Sequence, residues 1–143
     1  MTSREQIVES IRDLYAARAR GDVDACMEKF SSDACFVWAG SPQHCPVAHE
    51  ANGASAVKAA FKGMSDAYEV LSYEHRDFIV EGERAAVLTD LTIRFTPTGE
   101  TFSTQFYDLW TFRNGEVASF VQFGDTALAA GHAAQLGLQG GAP

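Results

Sequence analysis

The side chain with the clearest chemical potential is Asp108, an acid within a run of aromatic residues. Four of the six even-numbered residues from 102 to 112 are aromatic, whereas the odd-numbered residues there are mostly polar. Alternate side chains of a β-strand share a face, so Asp108 should be the lone ionisable group on an apolar face. A carboxyl group in that position loses hydration, and its pKa should rise unless hydrogen-bond donors satisfy it.

Two roles remain open for Asp108. Enzymes use such environments to hold a carboxyl group as an acid, a base or a neutral hydrogen-bond donor near pH 7. Alternatively, Asp108 is structural and is held by a tyrosine hydroxyl or by backbone N–H groups. Tyr15 is the second catalytic candidate, because its hydroxyl can reach into a cavity or bond Asp108, although a tyrosine in an apolar helical stripe is more often simple core.

We expect a ligand pocket with Asp108 at its polar centre. Large aromatic residues are core by default, and they become pocket wall only where the fold leaves a cavity. The predicted ligand-binding residues are Trp38, Phe61, Phe106, Trp110, Phe120 and Gln122.

Neither a metal nor a cofactor is predicted. His44, Cys45 and His49 lie close together in the segment 40–52, but their spacing matches no metal motif, and structural sites usually supply four ligands. The sequence has no dinucleotide- or phosphate-binding loop, and proton transfer next to a carbonyl group needs no cofactor. We therefore expect segment 40–52 to be an irregular loop at the surface or at the rim of the pocket.

The composition narrows the class of partner. There are 19 acidic and 11 basic residues, and the resulting formal charge of −8 opposes binding to nucleic acids or anionic membranes. Three cysteines without a CxxC arrangement argue against a disulfide framework. The first residues lack the apolar core of a signal peptide. We expect a cytoplasmic protein whose partner is a small apolar or polycyclic molecule.

Helices are predicted first along the chain and strands afterwards. A helix over 3–20 is expected to begin with a capping box, formed either by Thr2 with Glu5 or by Ser3 with Gln6. Two more helices are predicted around a short strand at 34–39, one after Gly21 and one over 54–68. Turn signals then separate four strands of an antiparallel meander, at 71–81, 84–96, 100–113 and 116–124.

This order of elements predicts an α+β domain over 1–136, followed by a loose tail at 137–143. A last helix is expected to begin at Asp125. Both faces of the last strand are apolar, and Val117, Val121 and Phe123 are predicted to share its outer face. A strand of a sheet with one solvent-exposed face should have polar residues on that face. Because both faces are apolar here, a second layer must cover the outer face, and a homodimer is predicted.

Two stretches carry a family resemblance. Residues 16–24, followed by Met27, Phe30 and Asp33-Ala34, resemble the opening of nuclear transport factor 2-like enzymes. Residues 108–117, followed by 123–125, are similar to the final hairpin of SnoaL-like polyketide cyclases and of limonene epoxide hydrolase. The resemblance covers almost the whole chain. It implies a cone-shaped, strongly curved antiparallel sheet with three N-terminal helices enclosing a pocket, a cystatin-like α+β roll.

The same resemblance implies that known catalytic sets are incomplete here. Trp38 stands at the position of the ketosteroid isomerase base, and Leu14 at that of its oxyanion-hole tyrosine, next to Tyr15. Asp108 matches the second isomerase carboxyl group, and Gln122 stands where cyclases carry an acid. Thr89, Leu91 and Gln122 occupy the epoxide hydrolase positions. Two functions stay open: a cofactor-independent isomerase, cyclase or dehydratase, or a non-catalytic ligand-binding or dimerisation domain.

Overall fold

The computed structural model describes residues 1–137 of the chain. Its elements in chain order are α1 (Arg4–Ala19), α2 (Val23–Met27), β1 (Phe30–Trp38), β2 (His49–Asn52), α3 (Ala54–Ala67), β3 (Tyr68–Glu81), β4 (Arg84–Phe95), β5 (Glu100–Arg113), β6 (Glu116–Phe123) and α4 (Thr126–Gln135). The predicted tail lies, apart from Gly137, outside the described residues. Within the described part of the chain, no helix is long and apolar enough to cross a membrane.

Local signals explain where the first two helices begin. Ser3 accepts a hydrogen bond from the backbone N–H of Gln6, and the Gln6 side chain accepts one from the backbone N–H of Ser3, so the second predicted capping box is confirmed. Gly21 follows α1 with a φ of +73°, a conformation that favours glycine. Asp22 then caps α2 by accepting from Ala25. The chain thus reverses sharply between α1 and α2.

The six strands form one curved, unclosed sheet in the order β2-β1-β6-β5-β4-β3. The meander from β3 to β6 is antiparallel as predicted. However, β1 pairs parallel to β6, which makes the sheet mixed. Parallel neighbours need a long crossover, and here the chain between them runs through all the intervening elements. The segment predicted as an irregular loop also contains β2, which pairs antiparallel with β1.

The inner face of the sheet carries the core, and α1 and α3 pack against the sheet. On β5 the even-numbered residues are the more buried ones, as predicted. On β6 a bulge changes the register: Thr111 pairs with Ser119, but Phe112 pairs with Val117. The extra residue, Ala118, turns Val117 inward, where it is 1% exposed. The prediction that Val117 shares the outer face with Val121 and Phe123 is therefore wrong.

Gly124 joins the end of β6 to α4, whose N-cap is Asp125. A Cβ atom on Gly124 would lie 2.7 Å from Cε1 of Phe106 and 3.1 Å from Cζ2 of Trp38. Both distances are closer than ordinary van der Waals contact. The absence of a side chain at this position therefore lets two aromatic rings pack against the backbone where α4 begins.

Gly124→Ala should lower the free energy of unfolding by about 1–3 kcal/mol, because Phe106 must move to admit the methyl group. Gly63→Ala is the matched control, since a Cβ atom there meets nothing within 4 Å. In the middle of α3 it should instead stabilise by about 0.5–1 kcal/mol. Urea denaturation of the two variants measures both effects, and equal stabilities would contradict this account of Gly124.

Candidate functional site

A cavity of about 510 Å³ lies between the inner face of the sheet and helices α1, α3 and α4. That volume suits a small organic ligand. Most of its wall is aliphatic or aromatic. Of the residues predicted for the pocket, those that line the cavity are Tyr15, Trp38, Phe61, Phe106, Phe120 and Gln122.

Asp108 is the polar centre behind this wall. Its side chain is 0% exposed, and it accepts two hydrogen bonds. One comes from the hydroxyl of Tyr15, and the other comes from Nε2 of Gln122, 3.1 Å from Oδ1. Burial raises the pKa of Asp108 to about 7, although the two hydrogen bonds act in the opposite direction. The carboxyl group can therefore hold or release a proton near neutral pH.

Asp108 and Trp110 both lie one layer behind the cavity wall rather than in it. Tyr15 and Gln122 stand between Asp108 and the cavity, because α1 packs the tyrosine over the carboxyl group. Trp110 is stacked on Phe120 with ring centroids 3.8 Å apart, so Phe120 forms the wall there. Asp108 can therefore affect a ligand in the cavity only through Tyr15 and Gln122. Trp110 can do so only through Phe120.

Polar side chains continue from Asp108 and Tyr15 across the interior to His75. Nδ1 of His75 lies 2.8 Å from the Thr89 hydroxyl, and the His75 ring is edge-on to the ring of Tyr15. Burial and the nearby Asp108 raise the pKa of Tyr15, which keeps the phenol protonated. Burial lowers the pKa of His75 to about 4. The bulge between His75 and Asp77 obscures the alternation of β3, so the sequence pattern does not show that His75 is partly buried.

A second cluster of polar side chains beside the cavity contains His132, which no sequence pattern predicted as a site residue. His132 on α4 is 3% exposed and stacked on Phe95. Its Nδ1 lies 2.9 Å from the hydroxyl of Tyr68, and its Nε2 lies 3.1 Å from a carboxylate oxygen of Glu100. These contacts attach α4 to β3 and β5 beside the cavity. No local sequence signal marks them, because the partners are 64 and 32 residues away.

The segment 40–52 contributes His49 to the cavity wall. His44 is exposed, whereas Cys45 is buried at 2% exposure. The ring of His49 lies 2.7 Å from the carbonyl oxygen of Val47. Within residues 1–137 no three potential metal ligands come together.

Comparison with known proteins identifies the fold family. The SnoaL-like domain model matches residues 11–120. No curated protein sequence matches the chain. A crystal structure of an NTF2-like protein from Burkholderia xenovorans LB400 superposes with a TM-score of 0.76 at 28% identity, covering 92% of this chain and 98% of the other.

Two further solved structures share the fold at lower identity. A candidate isomerase from Rhodopseudomonas palustris has a TM-score of 0.77 at 16% identity, with coverage of 94% of this chain and 99% of the other. A candidate polyketide cyclase from Xanthomonas campestris pv. campestris has a TM-score of 0.71 at 17% identity, with coverage of 90% and 97%. The match to the family model and the shared fold show that this chain belongs to the SnoaL-like domain family, within the NTF2-like superfamily.

Proposed function

We propose that the protein binds a small apolar molecule in its cavity and acts on it as a cofactor-independent enzyme of the isomerase, cyclase or dehydratase type. The observation that carries this proposal is a carboxyl group with a pKa of about 7 directly behind a tyrosine of the cavity wall. The free cysteines suit a reducing compartment, and a cytoplasmic location is part of the proposal.

Tyr15 and Asp108 can pass a proton to a ligand as a pair. When Asp108 is protonated, its O–H donates to the Tyr15 oxygen, and the Tyr15 O–H is free to donate to a ligand carbonyl. Water in the cavity takes the proton from the carbon beside the carbonyl group, and the carbonyl oxygen gains negative charge. The tyrosine proton then moves to that oxygen, and the Asp108 proton replaces it on Tyr15. Asp108 ends as a carboxylate, which Gln122 continues to bond. A pKa of about 7 populates both states of Asp108 near neutral pH, as acid catalysis requires.

A non-catalytic ligand-binding domain is the second candidate. It is favoured by the position of Asp108 behind the wall, out of direct contact with a ligand. It is also favoured by Trp38 and Gln122, which stand where the family resemblance implies a base and an acid. Both candidate functions require the cavity to bind an apolar molecule. Removal of one proton-transfer group distinguishes them, because it should stop catalysis but should not change binding.

Homodimer formation is also part of the proposal. On the outer face, Tyr107 pairs with Phe123 and Leu109 pairs with Val121, which makes one continuous apolar patch. Phe123 is 52% exposed and Tyr107 is 39% exposed. Helices α1 and α3 pack on the opposite face, so a second copy is the simplest cover for this patch.

Asp108→Asn should abolish proton exchange at the carbon beside a carbonyl group while leaving binding intact. An amide cannot deliver the proton, and losing one general acid typically costs 10²-fold or more, in order of magnitude. Deuterium uptake from D₂O is followed by mass spectrometry for steroid-like, aromatic and terpenoid ketones. Tyr15→Phe should show the same loss. Asp90→Asn, on the outer side of β4, is the control that removes an equal charge.

Two outcomes of this experiment would support the non-catalytic candidate instead. One is that the unmodified protein exchanges no proton on any ketone that it binds. The other is that exchange by Asp108→Asn equals that of the unmodified protein. If no ketone binds at all, the proposed function itself is wrong.

The contribution of Asp108 to the stability of the protein should fall as pH rises from about 4 to about 7, whereas His75, whose pKa is lowered, contributes in the opposite direction. The folded pKa of Asp108, about 7, exceeds the unfolded value of about 3.9, so this group binds more protons in the folded state in that window. Between pH 5 and pH 8 the loss attributable to Asp108 should be roughly 2–3 kcal/mol. Urea denaturation at both pH values checks it, with Asp108→Asn as reference. Parallel pH profiles would contradict the raised pKa.

Phe123→Glu should convert the dimer to a monomer, because each copy would then bury a carboxylate in the interface formed by the outer patch. Light scattering should give twice the chain mass of 15.5 kDa for the unmodified protein and a single chain mass for the variant. Ile79→Glu is the control. Ile79 is as exposed as Phe123 but lies on β3, three strands from β6. A monomer mass before mutation would overturn the dimer proposal.

A further inference from the structure

Arg18 places a guanidinium group in the wall of an otherwise largely apolar cavity. It follows Tyr15 by three residues on α1, and the two side chains therefore share the face that lines the cavity. Its Nη2 atom donates to the carbonyl oxygens of Met64 and Tyr68, at 3.2 Å in each case. These contacts hold the guanidinium beside the C-terminal end of α3.

Arg18 lacks the partner that a sheltered cation normally has. Within residues 1–137 no carboxylate forms an ion pair with it, and neither Nη1 nor Nε has a protein acceptor. Burial lowers the pKa of Arg18, and no carboxylate acts against that effect. An arginine nevertheless keeps its charge in proteins, so the wall holds a cation with free donors. Such groups are usually paired, because desolvating a charge is costly.

The other charged groups at the cavity do not neutralise Arg18. Asp125 lies at the exposed N-terminus of α4, where its carboxylate accepts from Leu128. Asp108 is covered by Tyr15 and Gln122. Among the described lining residues Arg18 is the only lysine or arginine. In a chain with a formal charge of −8, an anion is attracted to this cavity only by a local cation.

We propose that the ligand of this cavity is an apolar acid, whose carboxylate or comparable anionic group binds the free N–H groups of Arg18 while its hydrocarbon body packs on the aromatic wall. This inference rests on the proposed function, since it names the ligand class of the same cavity. Residues three apart on a helix are neighbours, so the anionic group lies about one helical turn from the ligand atom that meets Tyr15. The ligand is therefore an aromatic or polycyclic acid with its reacting oxygen close to the acid group.

Competition between two nearly identical compounds tests this directly. The neutral dye N-phenyl-1-naphthylamine, whose fluorescence rises in apolar surroundings, reports on occupation of the cavity. Biphenyl-4-carboxylate and biphenyl-4-carboxamide, which differ in charge but little in shape, then displace it. The unmodified protein should bind the carboxylate about tenfold more tightly than the amide, since hydrogen bonds between charged groups are the stronger kind.

Arg18→Gln should abolish that preference and leave the affinity for the neutral dye within about twofold of the unmodified value. Arg20→Gln is the matched control, because it removes the same charge from an exposed position at the end of α1. Arg18→Lys should retain part of the preference, and it covers the case in which Arg18→Gln does not fold.

Each outcome decides between the inference and its alternatives. If the unmodified protein binds the dye but binds the carboxylate and the amide with equal affinity, the inference about an acidic ligand is wrong. Binding of the dye would still support a cavity that accepts apolar molecules. A carboxylate preference that survives Arg18→Gln in a folded protein would also overturn it. If neither the dye nor either competitor binds, the proposed function fails together with this inference.

Discussion

Burial of the Asp108 carboxyl group is the constraint on which the rest of the interior depends. A carboxyl group without water is costly unless it is neutral or hydrogen-bonded, and here Tyr15 and Gln122 supply the two bonds. Tyr15 belongs to α1 and Gln122 to β6, so one side chain of β5 fixes the position of a helix and a neighbouring strand. A shift of α1 along the sheet would leave Asp108 without its strongest donor.

The cavity persists because polar contacts also hold its helices in place. Arg18 ties α1 to the carbonyl groups at the end of α3, and His132 ties α4 to Tyr68 and Glu100. Apolar packing alone is not directional, and it favours filling a space of this size. Hydrogen bonds depend on distance and angle, so they can hold helices at fixed separations from a sheet. The groups that shape the cavity are therefore also the groups available to a ligand.

Much of this arrangement follows from local sequence patterns, and the rest depends on distant contacts. Period-two alternation predicted the inward face of β5, and turn residues predicted the meander. Alternation says which face a side chain occupies but not how deep it lies. It therefore did not indicate that Tyr15 and Gln122 separate Asp108, the predicted polar centre of the pocket, from the cavity. The bulge at Ala118 and the parallel pairing of β1 with β6 carry no local signal. Arg18 donates to the carbonyl groups of Met64 and Tyr68, which lie 46 and 50 positions further along the chain, and no local sequence pattern indicates contacts at that separation.

Gln122 determines how Asp108 behaves as an acid. Its amide donates to Oδ1 and adds no charge, so Asp108 titrates as a single carboxyl group. The family resemblance implies an acid at this position in polyketide cyclases. Two carboxyl groups so close would share one proton, and their pKa values would separate because both cannot ionise in a buried site. An amide at 122 instead leaves burial as the dominant influence on Asp108 and keeps its pKa near 7. Under the proposed function, Arg18 selects the ligand because it faces the cavity, whereas Asp108 sets the strength of the acid because it is bonded to Tyr15.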